Sequence, residues 1–252
     1  MRPITVTTLG TSHGNPTRTR FNSSVILETD DSIVLFDAGE PVTALLVRAG
    51  KSFKKLFAVC ISHMHGDHIG GLSCLIKHLI KYPAGQHQVS IFLPEADAIP
   101  ALEAWLKAQH IAYPSPVIRL TTTLPGRLIE SDGIAVSAIQ TDHLHRGNRS
   151  VSFAFVADID GKRICYTGDL NGRLSDFPLP DVSQPYDLCL CEATHFDLDS
   201  ALSVLKKAAV KKMVFTHVGD RWHDEGERDF WRWSESLPYP VALAKDGDAF
   251  VV

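Results

Sequence analysis

The chain has 252 residues, 44% of them hydrophobic and 21% charged, with a formal net charge of −4. That apolar fraction excludes bulk disorder, and no run approaches the roughly 18 consecutive apolar residues of a membrane span. The negative balance excludes a protein that coats nucleic acid through net charge, though not a local basic patch. Five cysteines without framework spacing point to reduced thiols in a cytoplasmic protein. The opening Met1-Arg2-Pro3-Ile4-Thr5-Val6 agrees, running into a strand-like pattern and not a secretory leader.

No repeat, low-complexity segment or linker divides the chain, so residues 1–252 read as one domain. Short strands are predicted at Ile4–Leu9, Ser24–Glu28 and Ile33–Asp37. A helix follows Pro41, with Val42, Leu45, Leu46 and Ala49 at helical spacing and Gly50 as its stop. Leu56–Ser62 is a continuous apolar run of strand length, suited to burial on both faces. Gly70–Tyr82 reads as a helix, Val89–Leu93 as a strand and Glu95–Gln109 as a helix. In the second half, strands at Ile134–Gln140, Val151–Ala157, Arg163–Thr167 and Leu188–Cys191 precede a helix at Leu198–Ala209. A strand at Met213–Thr216, a helix around Glu227–Ser236 and a strand near Ala249–Val252 complete the chain. Two sheets packed face to face with helices outside, an α+β arrangement, satisfy this order.

Histidine is the unusual count, at twelve. Ser62-His63-Met64-His65-Gly66-Asp67-His68 begins where a buried strand ends and a helix starts, so a rigid scaffold aims these side chains into one pocket. Alternate residues of an extended stretch share a side, so His63 and His65 converge on one ion. Asp67 and His68, in the following turn, reach a second. Imidazole and carboxylate suit zinc, iron or manganese, and four such groups within six residues are too dense for a solvated loop.

His-x-His-x-Asp-His after a buried strand resembles the metallo-β-lactamase superfamily, whose fold is a four-layered αββα sandwich. The resemblance covers essentially the whole chain. It implies that Asp37, in Val34-Leu35-Phe36-Asp37-Ala38-Gly39, orients a metal-binding histidine from behind. It implies a metal-bridging Asp169 in Tyr166-Thr167-Gly168-Asp169, and a last histidine ligand at His217. Asp142-His143-Leu144-His145 offers two candidates for the remaining ligand; His143 is preferred because the family places this ligand immediately beyond a strand end. The implied sites are His63, His65 and His143 on one divalent ion and Asp67, His68 and His217 on the other, with Asp169 bridging. Such a pair of ions, zinc in the first instance with manganese or iron as alternatives, activates water for hydrolysis, and Asp67 counts among the catalytic residues.

Other motifs favour phosphodiesters. Leu9-Gly10-Thr11-Ser12 and the loop Pro16-Thr17-Arg18-Thr19-Arg20-Phe21-Asn22 are similar to the opening of ribonuclease Z, which implies substrate contacts from Arg18 and Arg20. Cys191-Glu192-Ala193-Thr194-His195-Phe196-Asp197-Leu198 resembles segments of ribonuclease Z and of the phosphoribosyl 1,2-cyclic phosphate phosphodiesterases. In both families a histidine before a helix protonates the leaving oxygen. His195 inherits that role by position, with Glu192 holding its ring; the alternative is a histidine that packs against the helix. Thr216-His217-Val218-Gly219-Asp220-Arg221-Trp222 resembles a late ribonuclease Z run, where Arg221 either contacts a phosphate or braces a loop.

Ribonuclease Z carries a long basic arm after its first histidine cluster, whereas residues 69–142 show ordinary helix and strand patterns. The cyclic-phosphate diesterases lack the arm but carry a four-cysteine zinc site near the N-terminus, and the first cysteine here is Cys60. The expected activity is therefore a dimetal phosphodiesterase acting on a small or cyclic phosphodiester or an RNA 3′ end, with no membrane partner. A homodimer is common in this superfamily. Hydrolysis of a thioester, lactone or other carboxylic ester, and a metal or redox sensor, are the competing readings. His13, His78, His87 and His110 read as loop or solvated residues, Cys189 and Cys191 as core thiols, and the tryptophans near the C-terminus as core.

Overall fold

The computed structural model describes residues 3–83 and 87–252, so Met1 and Arg2 of the opening stretch lie outside it. Its first half supplies β1 (Thr5–Gly10), β2 (Ser24–Glu28), β3 (Ile33–Phe36), α1 (Val42–Arg48), β4 (Leu56–Cys60), the single turn α2 (Gly66–Ile69), α3 (Leu72–Lys81), β5 (Val89–Leu93), α4 (Ala98–Ala108) and β6 (Ile118–Thr122). The second half supplies β7 (Gly126–Ser131), β8 (Ile134–Arg146), β9 (Arg149–Ile159), β10 (Lys162–Tyr166), β11 (Leu188–Ala193), α5 (Leu198–Leu205), β12 (Met213–Val218), α6 (Gly226–Ser234), β13 (Val241–Leu243) and β14 (Ala249–Val251). One seven-stranded sheet runs β14-β1-β2-β3-β4-β5-β6 and the other β13-β12-β11-β10-β9-β8-β7.

Strand periodicity explains the layering. On β3, Val34 and Phe36 point into the apolar cluster between the sheets, while Ile33 and Leu35 join the cluster beneath α1, α3 and α4. On β11, Leu188 and Leu190 point between the sheets, and Cys189 and Cys191 face the cluster that includes Ala201 and Leu205 of α5 and Phe230 of α6. Strands buried on both faces need apolar residues at consecutive positions, which is why these runs do not alternate. The helices close the outer faces with amphipathic stripes such as Leu72, Leu75, Ile76 and Leu79 of α3. The result is the four-layered αββα sandwich of the metallo-β-lactamase fold.

Several elements depart from expectation. β6, β7 and β13 were not anticipated; β6 and β7 are edge strands with few fully buried positions, and β13 has only three residues. β8 runs past Gln140 to Arg146, and with β9 forms a long hairpin whose tip is pinned to the other sheet's loop by Arg146, which donates to Asp97 at 2.6 Å and pairs with Glu95 at 3.1 Å. The helix expected over Gly70–Tyr82 starts at Leu72, and residues 66–69 form a turn of their own. His78 packs on Phe53 at 4.2 Å and His87 reaches the carbonyl of Leu56, so neither is merely solvated. Trp222 is buried, whereas Trp231 is 40% exposed.

β3–β4 and β10–β11–β12 are parallel neighbours, and the segments after their carboxyl ends meet at one edge of the sandwich. This is where open parallel sheets carry functional groups. Among the described residues no helix is long and apolar enough to cross a membrane.

Phe36 carries much of the contact between sheets just before the site, with Phe155 and Tyr166 stacked on it at 5.8 and 5.7 Å. Phe36→Ala is expected to destabilise the fold by about 3–5 kcal/mol, the usual cost of emptying a buried aromatic site. Urea unfolding monitored by tryptophan fluorescence checks this; a loss under about 1 kcal/mol would mean that the sheets repack around the cavity.

Candidate metal centre

Asp37 lies just beyond β3, fully buried, with a backbone φ of 57°. Its carboxylate accepts four hydrogen bonds: from the Ser62 amide (2.7 Å), the Ser62 hydroxyl (2.8 Å), His68 Nδ1 (2.7 Å) and the Tyr166 hydroxyl (2.7 Å). A buried carboxylate needs such donors, and these fix the loop after β4 and turn His68 Nε2 inward. Gly39 lets this loop close: a side chain there would start 2.3 Å from the carbonyl oxygen of Asp67. His63 Nδ1 lies 3.0 Å from Ser62 Oγ, which directs its Nε2 toward the same centre.

The second sheet supplies the opposing groups. β8 and β9 lose register between Thr141 and His145, and this irregularity turns His143 inward. The amides of His143 and Leu144 donate to Ser152 Oγ at 3.1 and 3.3 Å, so a hydroxyl replaces the missing ladder partner. His143 therefore lies within β8 and not beyond a strand end, which corrects the expectation; His145 turns outward and pairs with Asp142 at 2.7 Å. Asp169 follows Gly168, which has a φ of 56° and sits where a side chain would start 2.7 Å from Ser62 Cβ. His217, near the end of β12, has Nδ1 held 2.8 Å from Ser23 Oγ.

Two groups result. In the first, donor atoms of His63, His65, His143 and Asp169 all lie within 4.8 Å of one another; in the second, those of Asp67, His68 and His217 do. Asp169 joins them, with Oδ2 3.5 Å from His63 Nε2, 3.7 Å from His143 Nε2 and 3.4 Å from His217 Nε2, and Oδ1 3.4 Å from His68 Nε2. Asp67 Oδ2 is 3.2 Å from His68 Nε2 and 3.9 Å from His217 Nε2. On His63, His68, His143 and His217 the Nδ1 atom is occupied by Ser62, Asp37, the Leu170 carbonyl and Ser23, so Nε2 faces the centre. His65 presents Nδ1 instead, 2.9 Å from His63 Nε2.

The electrostatics fit divalent cations. Burial and the charge of His68 hold the His63 pKa well below its ordinary value. Burial opposes charge on His68, yet Asp169 and Asp37 outweigh it and raise the pKa well above normal. Burial also opposes ionisation of Asp169, but His217, His68 and His63 hold it well below the ordinary carboxylate range. Among the described residues His68 Nε2 and Asp169 Oδ1 are buried without a hydrogen-bond partner. Such orphans in a site built of imidazole and carboxylate are the signature of metal-binding groups.

Beside this array, Glu192 is buried and its Oε2 accepts from His195 Nδ1 at 2.8 Å and from the amides of His195 and Thr194 at 2.9 and 3.1 Å, while Oε1 accepts from the Leu170 amide at 2.7 Å. Burial lowers the His195 pKa, but the hydrogen bond and charge of Glu192 and the charge of Asp169 outweigh it, and the pKa is pushed up to about 9. His195 also forms a close group with Asp169 and His217. Among the described residues its Nε2 has no hydrogen-bond partner, and a third of the side chain is exposed.

The three arginines separate. Arg18 is exposed, on a cavity of about 690 Å³ also lined by Trp222, His223 and Lys245. Arg20, expected to contact substrate, lines the same cavity but is largely buried, donating to Thr11 Oγ1 at 2.6 Å and to the carbonyl of Ala244. Arg221 donates to the Phe196 carbonyl at 3.0 Å and stacks over Phe196 and Trp222, bracing the loop that carries His195. Ser62, Tyr166, Ser23 and Ser152 escaped the sequence reading, since a serine or tyrosine beside a motif carries no distinctive signal until the fold brings it to a ligand.

This fold and this paired cluster define a metal-dependent hydrolase of the metallo-β-lactamase class. Human tRNase Z, short form, superposes with a TM-score of 0.75 at 23% identity, covering 98% of both chains. The metallo-β-lactamase fold protein YhfI from Bacillus subtilis gives a TM-score of 0.75 at 21% identity, covering 99% of this chain and 100% of that one. The family described as Anti-Pycsar protein Apyc1 matches residues 4–232, and the chain belongs to it. It is also close in sequence to ribonuclease Z: the Cyanothece sp. protein is 34% identical over 281 aligned residues, covering 86% of this chain and 85% of that one.

Ser23→Ala frees His217 Nδ1, and Tyr166→Phe removes one of the four donors to Asp37. Each is expected to weaken metal uptake by about 10–100-fold, the usual effect of losing a group that orients a ligand. Competition with a chromophoric chelator measures it; unchanged affinity in both variants would show that backbone geometry alone orients these histidines.

Proposed function

We propose that His63, His65 and His143 hold one divalent ion and Asp67, His68 and His217 a second, with Asp169 shared, and that the site hydrolyses a small phosphodiester. The observation that carries this reading is the pair of donor groups joined by one buried carboxylate. The nitrogen-rich donor set suits zinc first, with manganese or iron as alternatives. A pair of such ions, when bound, stabilises charge on the phosphoryl oxygens and makes water acidic enough to act as a nucleophile near neutral pH.

The chain's own residues supply the rest. His195, held at Nδ1 by Glu192, presents Nε2 for the leaving oxygen, and the Glu192 carboxylate favours the protonated ring that a general acid requires. Glu192 also grips the backbone after Asp169 through the Leu170 amide, so the proton donor and the shared carboxylate keep one relative geometry. Arg221, itself exposed, braces this loop through the Phe196 carbonyl, and the exposed Arg18 is assigned to a substrate phosphate.

A small substrate is favoured over an RNA 3′ end. The alignment with the Cyanothece ribonuclease Z is 281 residues long, more than this whole chain of 252, so that relative carries segments this chain lacks. Among the described residues between His68 and His143, every regular element belongs to a sheet or an outer helix. A net charge of −4 gives little neutralisation for a long polyanion. The thiols are free among the described residues, which supports a reducing, cytoplasmic setting.

Bis-p-nitrophenyl phosphate, 2′,3′- and 3′,5′-cyclic nucleotides, an RNA carrying a 3′ extension and a p-nitrophenyl ester, assayed in parallel on metal-loaded protein, test this reading. Turnover of small diesters is expected; ester hydrolysis without any diester turnover would overturn it. His195→Ala should retain both ions and lose about two to four orders of magnitude in diester turnover. Asp67→Ala and His68→Ala should instead lose metal, as elemental analysis will report.

A further inference from the structure

The loop after Asp169 contains a carboxylate that none of the roles above uses. Asp176 Oδ2 accepts from the Asp142 amide at 2.7 Å, and both its oxygens accept from the Asn171 amide at 3.1 Å. The two amides belong to different parts of the site. Asp142 immediately precedes His143, at the point where β8 has lost register with β9, so its N–H has no strand partner there. Asn171 follows Leu170, whose carbonyl lies 3.2 Å from His143 Nδ1 and orients that ring. One side chain thus ties both ends of the His143–Leu170 contact together. The loop holds Asp176 in turn: Asn171 Oδ1 accepts from the amides of Arg173 and Ser175 at 3.0 and 3.2 Å, and Asn171 Nδ2 donates to Ser175 Oγ at 2.8 Å.

We propose that Asp176 is a positioning residue for the ion held by His63, His65 and His143, fixing the irregular part of β8 against the segment that follows Asp169. This rests on the dimetal reading of the same site. Among the described residues Asp176 makes no hydrogen bond to the segments carrying Asp67, His68 or His217, and the backbone after the shared Asp169 is held separately by Glu192, so its effect falls on the ion that His143 ligates. Arg146 secures the far end of the same hairpin to Asp97 and Glu95, whereas Asp176 acts at the ligand itself.

The test is titration of metal-free protein with cobalt(II), followed by visible absorption and by the thermal midpoint of the metal-free chain. Wild type should take up two ions. Asp176→Asn, which keeps one carbonyl acceptor, should bind one of them about tenfold more weakly, and Asp176→Ala should bind it more weakly still, with the metal-free midpoint unchanged in the Asn variant. In a His63→Ala background, where that ion is already lost, Asp176→Asn should not alter binding of the remaining one.

Wild-type affinity for both ions in the Asn and Ala variants overturns the proposal. So does weakened binding in the His63→Ala background, which would mark a general loosening. Uptake of a single ion by wild type overturns the dimetal reading and this inference with it, so the two failures are told apart by which protein shows them.

Discussion

A buried carboxylate must be matched by positive charge or by a full set of donors, and the architecture around Asp169 follows from that requirement. Asp169 is 2% exposed, ringed by the imidazoles of His63, His68, His143 and His217, and one of its oxygens has no hydrogen-bond partner among the described residues. Without metal, the neighbouring histidines compensate: Asp169 and Asp37 raise the His68 pKa, while burial and the charge of His68 lower that of His63. That division is a compromise among groups that repel one another when all are protonated. Divalent ions would resolve it, because neutral imidazoles would then serve as ligands and the carboxylates would face dications.

Ligand direction is set by the atoms behind the rings. A histidine coordinates through one nitrogen only if the other has a fixed partner, and here the partners differ: a carboxylate for His68, serine hydroxyls for His63 and His217, and a backbone carbonyl for His143. The carboxylate is the strongest acceptor of these, and it supports the histidine surrounded by the most negative charge. Asp37 earns its donors from both sheets, from Ser62 after β4 and from Tyr166 of β10. The packing of the two sheets and the aim of His68 are therefore one structural fact.

Much of this was legible in the sequence, for identifiable reasons. The run of β4 announced a doubly buried strand because both faces demand apolar residues, and His63 to His68 announced a site because that density of ligand types has no structural use. β6 and β7 were missed because edge strands bury few positions, leaving no periodicity to read. Arg18 and Arg20 read as substrate contacts through the likeness to the ribonuclease Z opening loop; the fold places the Arg20 guanidinium against Thr11 and the carbonyl of Ala244. The irregularity that aims His143 could not be foreseen either. It depends on a serine eleven positions after Thr141, whose hydroxyl accepts the Thr141 hydroxyl's hydrogen bond at 2.9 Å as well as the two freed amides.

The division of ligands between the sheets has a consequence for how site and fold depend on each other. His63, His65, Asp67 and His68 come from the loop after β4 in one sheet, and His143, Asp169 and His217 from the other. Each proposed ion is thus gripped from both sides of the sandwich, and neither sheet alone presents a complete set. Metal affinity then reports on the closeness of the sheets at this edge, and sheet packing is strengthened by whatever free energy the ions contribute. A substitution far from the cluster that spreads the sheets, such as the loss of the Phe36 ring, acts on metal binding through this geometry even though it touches no ligand.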